Sequence, residues 1–263
     1  MEAIEFFGYL GALLIGVVLG LIGGGGSILT VPLLVYLLNI NPVDATAYSL
    51  FLVGITALFG TIQNTRLGLV DFKTAFIFSL PAFSAVYMTR AMVVPNIPEI
   101  IYKSNALVLT KEVFIMVFFA AIMILAAVTM IRDKKVSSKT KNQAAFVWIA
   151  LEGIVVGFVT GIVGAGGGFL IIPALVLLGG LPIKKAVATS LLIIAIKSLI
   201  GFMGDLQHIT IDWNFLLLFS VLSMLGIFIG GYFNRYISGQ KLKALFGWFV
   251  LLMGIGILLN ELT

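Results

Sequence analysis

The chain has 263 residues, of which 61% are hydrophobic and 10% charged, with a mean hydropathy of +1.19 and a formal net charge of +5. Soluble domains carry about 25% charged residues. This composition therefore excludes a water-facing globular surface, and the positive balance reads as basic loops beside a bilayer rather than as a nucleic-acid footprint. The absence of cysteine excludes disulfides and thiolate metal sites, and the single histidine, His208, is too few for a histidine metal cluster. No metal and no cofactor is expected.

Apolar runs of about 20 residues recur along the whole length, each long enough to cross a hydrocarbon core of ~30 Å. None alternates apolar with polar as a transmembrane β-strand would. The opening residues lack the basic flank and cleavage site of a secretory signal, so the first helix is expected to be retained. That helix, about 4–22, runs into "GLIGGGGSILTVPLL" at 20–34. A short helix follows over 27–38, then longer apolar segments at 45–62, 74–94 and 111–131. "RDKKVSSKTKNQ" at 132–143 is the one long polar stretch. The series then repeats: a helix over 144–163 ending in "GIVGAGGGFLIIPAL" (161–175), a short helix over 168–179, and segments at 186–203, 213–233 and 243–260.

The repetition has a fixed register. Pro32 and Pro173 lie 141 apart, and the same offset places Gly23 on Gly164, Gly25 and Gly26 on Gly166 and Gly167, Ser49 on Ser190, and Asp71 on Asp212. The chain is therefore read as two homologous halves, 1–131 and 144–263, joined by a basic linker at 132–143. The short helices, at 1.5 Å per residue, reach ~17 Å, about half a bilayer.

Basic residues arbitrate the orientation. With the linker cytoplasmic and each glycine break closing a hairpin, Lys184, Lys185, Arg235, Lys241, Lys243, Arg66 and Lys73 all fall inside. "GDLQHITID" (204–212) falls outside, and Arg90, Lys103 and Lys111 are the exceptions on that face. A continuous broken helix places Lys184, Lys185 and the Arg235–Lys243 cluster outside, a worse fit. The expected fold is an all-α polytopic membrane protein of two inverted-topology repeats, each a glycine-broken helical hairpin plus three transmembrane helices.

Irregular backbone persists at membrane depth only where it is buried in protein or lines a wet cavity. Inverted repeats with interrupted helices are the common plan of secondary transporters, with the substrate held at the midplane. Helix N-termini present unpaired N–H groups and about half a positive charge, so two opposed breaks form an anion site. The candidate substrate-binding residues are Gly23, Gly24, Gly25, Gly26 and Ser27 in the first break and Gly164, Gly166, Gly167 and Gly168 in the second. The bland alternative is that these glycines are helix-packing faces. A Walker-type phosphate loop is excluded, because no Lys-Ser/Thr follows the glycines.

At these residues the chain resembles the sulfite exporter TauE/SafE family. The likeness rests on the paired glycine motifs, "ATSLLIIAIKSLIGF" (188–202), "IDW" (211–213) and the C-terminal "GIFIGGYFNRYISGQKLKALFGWFVLLMGIGIL". It covers nearly the whole chain and implies movement of sulfite or an organosulfonate across the cytoplasmic membrane. The chain departs from its own repeat pattern at "NTRLGLVDF" against "LQHITIDW", and in the long outer segment "RAMVVPNIPEIIYKSN".

Among single residues, Lys197 is the sharpest candidate. A lysine deep in a membrane helix is costly unless it faces protein or water; the alternative is a snorkelling side chain. Ser49 and Ser190, with Thr46 and Thr189, start the helices after the hairpins. They are expected at vestibules near opposite faces unless those helix starts dip inward. Asp71 and Asp212 read as N-caps, Arg66 as a topology anchor, His208 as a solvated loop residue, and Trp148, Trp213 and Trp248 as interface anchors. The spans as drawn are read as free of carboxylates, so no coupling residue is nominated and an enzyme is disfavoured. The expected function is a secondary carrier for a small anion at the cell membrane; an anion channel, or a carrier of another carboxylate or oxyanion, is the alternative. The expected partners are the anionic substrate and the lipid bilayer, and a homodimer suits a carrier of this size.

Overall fold

The computed structural model describes residues 2–103, 108–131, 143–177, 179–234 and 239–262. Its helices are α1 (Glu2–Ile22), α2 (24–37), α3 (Pro42–Arg66), α4 (Phe72–Asn96), α5 (Lys111–Ile131), α6 (Gln143–Val163), α7 (Gly168–Leu177), α8 (Ile183–Asp205), α9 (Trp213–Phe233) and α10 (Gly239–Leu262). Five helices, among them α3, α4, α8 and α9, are long and apolar enough to cross a membrane. The helical expectation holds, with one addition in the long outer segment. There β1 (Ile100–Lys103) pairs antiparallel with β2 (Val108–Thr110). The polar linker lies outside the described residues except for Gln143, where α6 begins.

The helix starts follow local chemistry. Asn41 caps α3 by accepting from the Val43 amide at 2.9 Å, with Pro42 at the first helical position. Asp71 caps α4 through the Thr74 amide, and Asp212 caps α9 through the Phe215 amide, as their sequence context indicates. The first short helix starts three residues earlier than expected and is not a regular α-helix. It opens as a 3-10 turn over Gly24–Leu29, passes through Thr30–Pro32, and closes as a π turn over Leu33–Leu37. Four glycines before a proline give the backbone little reason to settle into one helical repeat.

Small residues set the packing. α1 and α9 run side by side in the same direction, with Gly16 on Ser223 and Gly226, and Gly20 on Ile227 and Gly230. Ser223 Oγ donates to the Ala12 carbonyl across this seam at 3.0 Å. α6 and α4 pair in the same manner, Gly153 meeting Phe78 and Pro81, Gly157 meeting Ala82, and Gly161 meeting Thr89. Glycine at four-residue spacing lets helix backbones touch, the usual adhesive in lipid. α3 and α8 instead cross antiparallel: Gly54 meets Leu199, Gly60 meets Leu191, and Leu50 meets Gly201. α5 and α10 pack together, with Gly254 against Ala120, Met123 and Ile124. The short helices fill the space between these layers, their apolar faces in contact with α5 and α10 through Ile28, Val31, Phe169 and Met116.

One expectation about charge fails. Glu152 lies within α6, half-buried, and Asp205 ends α8 buried, so the spans are not free of carboxylates. Arg90, assigned to the outer side by loop charge, is fully buried inside the bundle, and Lys111 is 7% exposed.

Candidate functional site

The two glycine breaks touch. Gly23 ends α1 at φ 72°, and its counterpart Gly164 ends α6 at φ 71°. Both lie in the left-handed region that only glycine occupies without strain. One residue past the first turn, Gly24 packs on Gly168, the first residue of α7, so closely that a Cβ on either would overlap the other's backbone. Gly166 packs on Ser27, whose Oγ donates to the Gly24 carbonyl at 2.7 Å. Gly25 and Gly26 belong to the same 3-10 turn, and the Gly26 amide donates back to Gly23 at 3.3 Å.

The helix starts reach these breaks. A Cβ on Gly164 would meet Thr46 of α3, and one on Gly23 would meet Val187 of α8. Thr46 and Val187 are themselves 141 apart. Each of these helix starts thus packs on the other glycine break. Ser49 and Ser190, one turn further along, are fully buried. Ser190 Oγ is used locally, donating to the Val187 carbonyl at 2.8 Å, whereas Ser49 Oγ has no partner among the described residues. Thr189 Oγ1 accepts from the Asp71 amide, and Tyr48 Oη from the Asp212 amide, so each half also ties down the other's fourth helix.

Lys197 completes the site. It is 0% exposed, which removes the snorkelling alternative. Its Nζ donates to Thr160 Oγ1 at 2.7 Å, and Thr160 Oγ1 in turn donates to the Val156 carbonyl at 2.6 Å. The ammonium lies against Gly167, 3.5 Å from where a Cβ would stand. No carboxylate pairs with it; among the described residues the one salt bridge is elsewhere, between Arg90 and Asp205. Beside it the amides of residues 165–167 have no acceptor among the described residues. The Lys197 amine is thus buried beside the Gly167 turn, where an arriving anion would favour its charged form. Thr160 is not marked by any sequence pattern; a lone threonine in an apolar helix usually bonds its own carbonyls.

The other candidates take structural places. Arg66 and His208 are exposed at helix ends, and Trp148, Trp213 and Trp248 lie on the outer surface, Trp213 stacked edge-on against Phe51 and Phe202. No group of three metal-ligating side chains occurs among the described residues.

Known proteins resemble the chain over nearly its whole length. The family described as "Sulfite exporter TauE/SafE" matches residues 9–257. The chain belongs to that family. A TauE/SafE relative from Xylella fastidiosa (strain Temecula1), named a probable membrane transporter protein, is 27% identical over 249 residues, covering 92% of this chain and 90% of its own. The probable membrane transporter protein YunE of Bacillus subtilis is 27% identical over 264 residues, at 92% and 93% coverage. A probable membrane transporter protein of Methanocaldococcus jannaschii is 23% identical over 264 residues. No solved structure matches. The chain is thus a multi-pass membrane protein of a transporter family.

Proposed function

We propose that this TauE/SafE protein is a secondary carrier for a small anion, most simply sulfite or an organosulfonate, working by alternating access in the cell membrane. The observation that carries the reading is the buried Lys197 ammonium, without a carboxylate partner, held by Thr160 against the Gly167 turn. A buried cation without a counter-ion is costly, and an anion that arrives and leaves supplies the missing charge.

The two halves are read as inserted in opposite senses, with the 132–143 linker cytoplasmic. Supporting this, α3 and α8 occupy matching sequence positions yet cross antiparallel, and α1 runs alongside α9 as α6 runs alongside α4. The contact of Gly24 on Gly168 supports alternating access. The breaks are closed on each other, so cargo must part them by rocking one half against the other.

Counterflow in proteoliposomes tests the carrier reading. Labelled sulfite, sulfoacetate, sulfate and acetate are each exchanged against unlabelled internal anion. Saturable exchange of at least one sulfur oxyanion, with no electrical current of channel size, is expected. Exchange of none of them defeats the reading, and large unitary currents replace it with a channel.

A further inference from the structure

Arg90 and Asp205 form a buried ion pair that is poorly made. Arg90, in the π turn over Thr89–Val93, is fully buried, and Asp205 is 3% exposed. Arg90 Nε stands 3.4 Å from Asp205 Oδ2, and Nη1 donates to Oδ1 at 3.5 Å. Arg90 Nε and Nη2 and Asp205 Oδ2 have no hydrogen-bond partner among the described residues. A guanidinium has five N–H donors and matches an oxyanion with two parallel bonds of about 2.7–2.9 Å. Here its donors are largely idle.

Asp205, with Arg90 behind it, borders a cavity of about 240 Å³ that Lys111, His208, Val43, Val94 and Pro95 also line. The charged groups facing Asp205 are Arg90 from α4, His208 from the turn after α8, and Asp44 from α3. Lys111 at the start of α5 shares the cavity, and Glu112 beside it interacts with Asp44. Asp205 lies about 12 Å along α8 from Lys197. Thr89, next to Arg90, packs on Gly161, next to the Thr160 that holds Lys197. The pair therefore stands between the cavity and the cationic centre. It has no counterpart in the other half: the 141-residue offset puts Asn64 and Gly231 at these places, and Gly231 packs on Gln63.

We propose that Arg90 and Asp205 are an exchange site for one proton and one sulfonate-class oxyanion. The arriving anion takes the guanidinium from Asp205, and the freed carboxylate takes a proton. This rests on the anion-carrier reading. Closed, the pair sums to zero charge; with the anion on Arg90 and a neutral Asp205 it again sums to zero. An anion alone leaves two negative groups around one cation, and a proton alone leaves Arg90 buried without a partner. Both are the expensive states of a buried charge. The proton comes from bulk solution, carried into the cavity as hydronium, onto Asp205 Oδ2. One O–H bond forms on Asp205 as one breaks on the hydronium, which leaves as water; no other bond changes and no electron is transferred.

The probe is methanesulfonate, which does not itself titrate near neutrality. Purified protein in lightly buffered detergent solution, with a pH indicator, is expected to take up one proton per methanesulfonate bound. The apparent Kd should rise by up to tenfold per pH unit where Asp205 is ionised. Asp205→Asn should bind without proton uptake and with a flat pH profile, and Arg90→Gln should lose binding at least tenfold. The wild-type stoichiometry decides the matter even if a variant fails to fold. Binding without proton uptake in the wild type, uptake unchanged in Asp205→Asn, or no binding of methanesulfonate overturns the proposal. If sulfite still exchanges in proteoliposomes under any of those results, the carrier reading survives without it; if no anion exchanges, both fall.

Discussion

Lys197 sets the chemistry because it is a buried amine with no carboxylate among the described residues to balance its charged form. Thr160 supplies one acceptor at 2.7 Å and leaves the other ammonium protons to the cargo. Lys197→Met keeps the bulk and removes the charge. Hydrogen bonds to a charged group contribute about 1.5–3 kcal/mol, so the KM for the exchanged anion should rise about 10–100-fold. The measurement is counterflow, with circular dichroism to confirm a folded protein; an unchanged KM would remove Lys197 from the site. The lysine is legible in the sequence because a charge in an apolar run is rare. Its partner is not, and neither is the Arg90–Asp205 pair, whose members are separated by 115 residues and become neighbours only when α4 lies along α8.

At the scale of elements, glycine has two separable roles. Gly16, Gly20, Gly226 and Gly230 are packing faces between α1 and α9. The clusters at 23–26 and 164–168 differ, since both carry left-handed turns and meet each other. Gly168→Ala puts a Cβ onto the backbone of Gly24, where nothing flexible can yield. Overpacking of this kind costs about 1–3 kcal/mol, so Tm should fall and anion exchange slow. Gly256→Ala, with nothing within 4 Å of the new Cβ, should change neither. A thermal-unfolding series on the two variants checks this, and equal Tm values would contradict the packing described. The breaks are legible because glycine runs followed by proline are strong local signals. The mixed 3-10 and π winding of α2, and the seating of the α3 and α8 starts on the glycine breaks, depend on what those segments pack against, which no local pattern records.

For the whole molecule, the 141-residue offset is the most informative feature of the sequence, because it pairs residues that the fold then uses in matching ways. Gly23 on Val187 mirrors Gly164 on Thr46, and the Asp71 amide on Thr189 mirrors the Asp212 amide on Tyr48. Opposite insertion of the halves is testable because the chain contains no cysteine. Leu67 and His208 are 141 apart and both exposed, one after α3 and the other after α8. Leu67→Cys and His208→Cys should react with a membrane-impermeant maleimide from opposite sides of sealed vesicles; labelling from one side would mean parallel halves. The anion centre has a more direct test, a structure determined with selenite, the heavier analogue of sulfite. The selenium peak is expected against Lys197 Nζ, beside the turn over 164–168. A peak at any other position, in a protein that exchanges selenite, would contradict it.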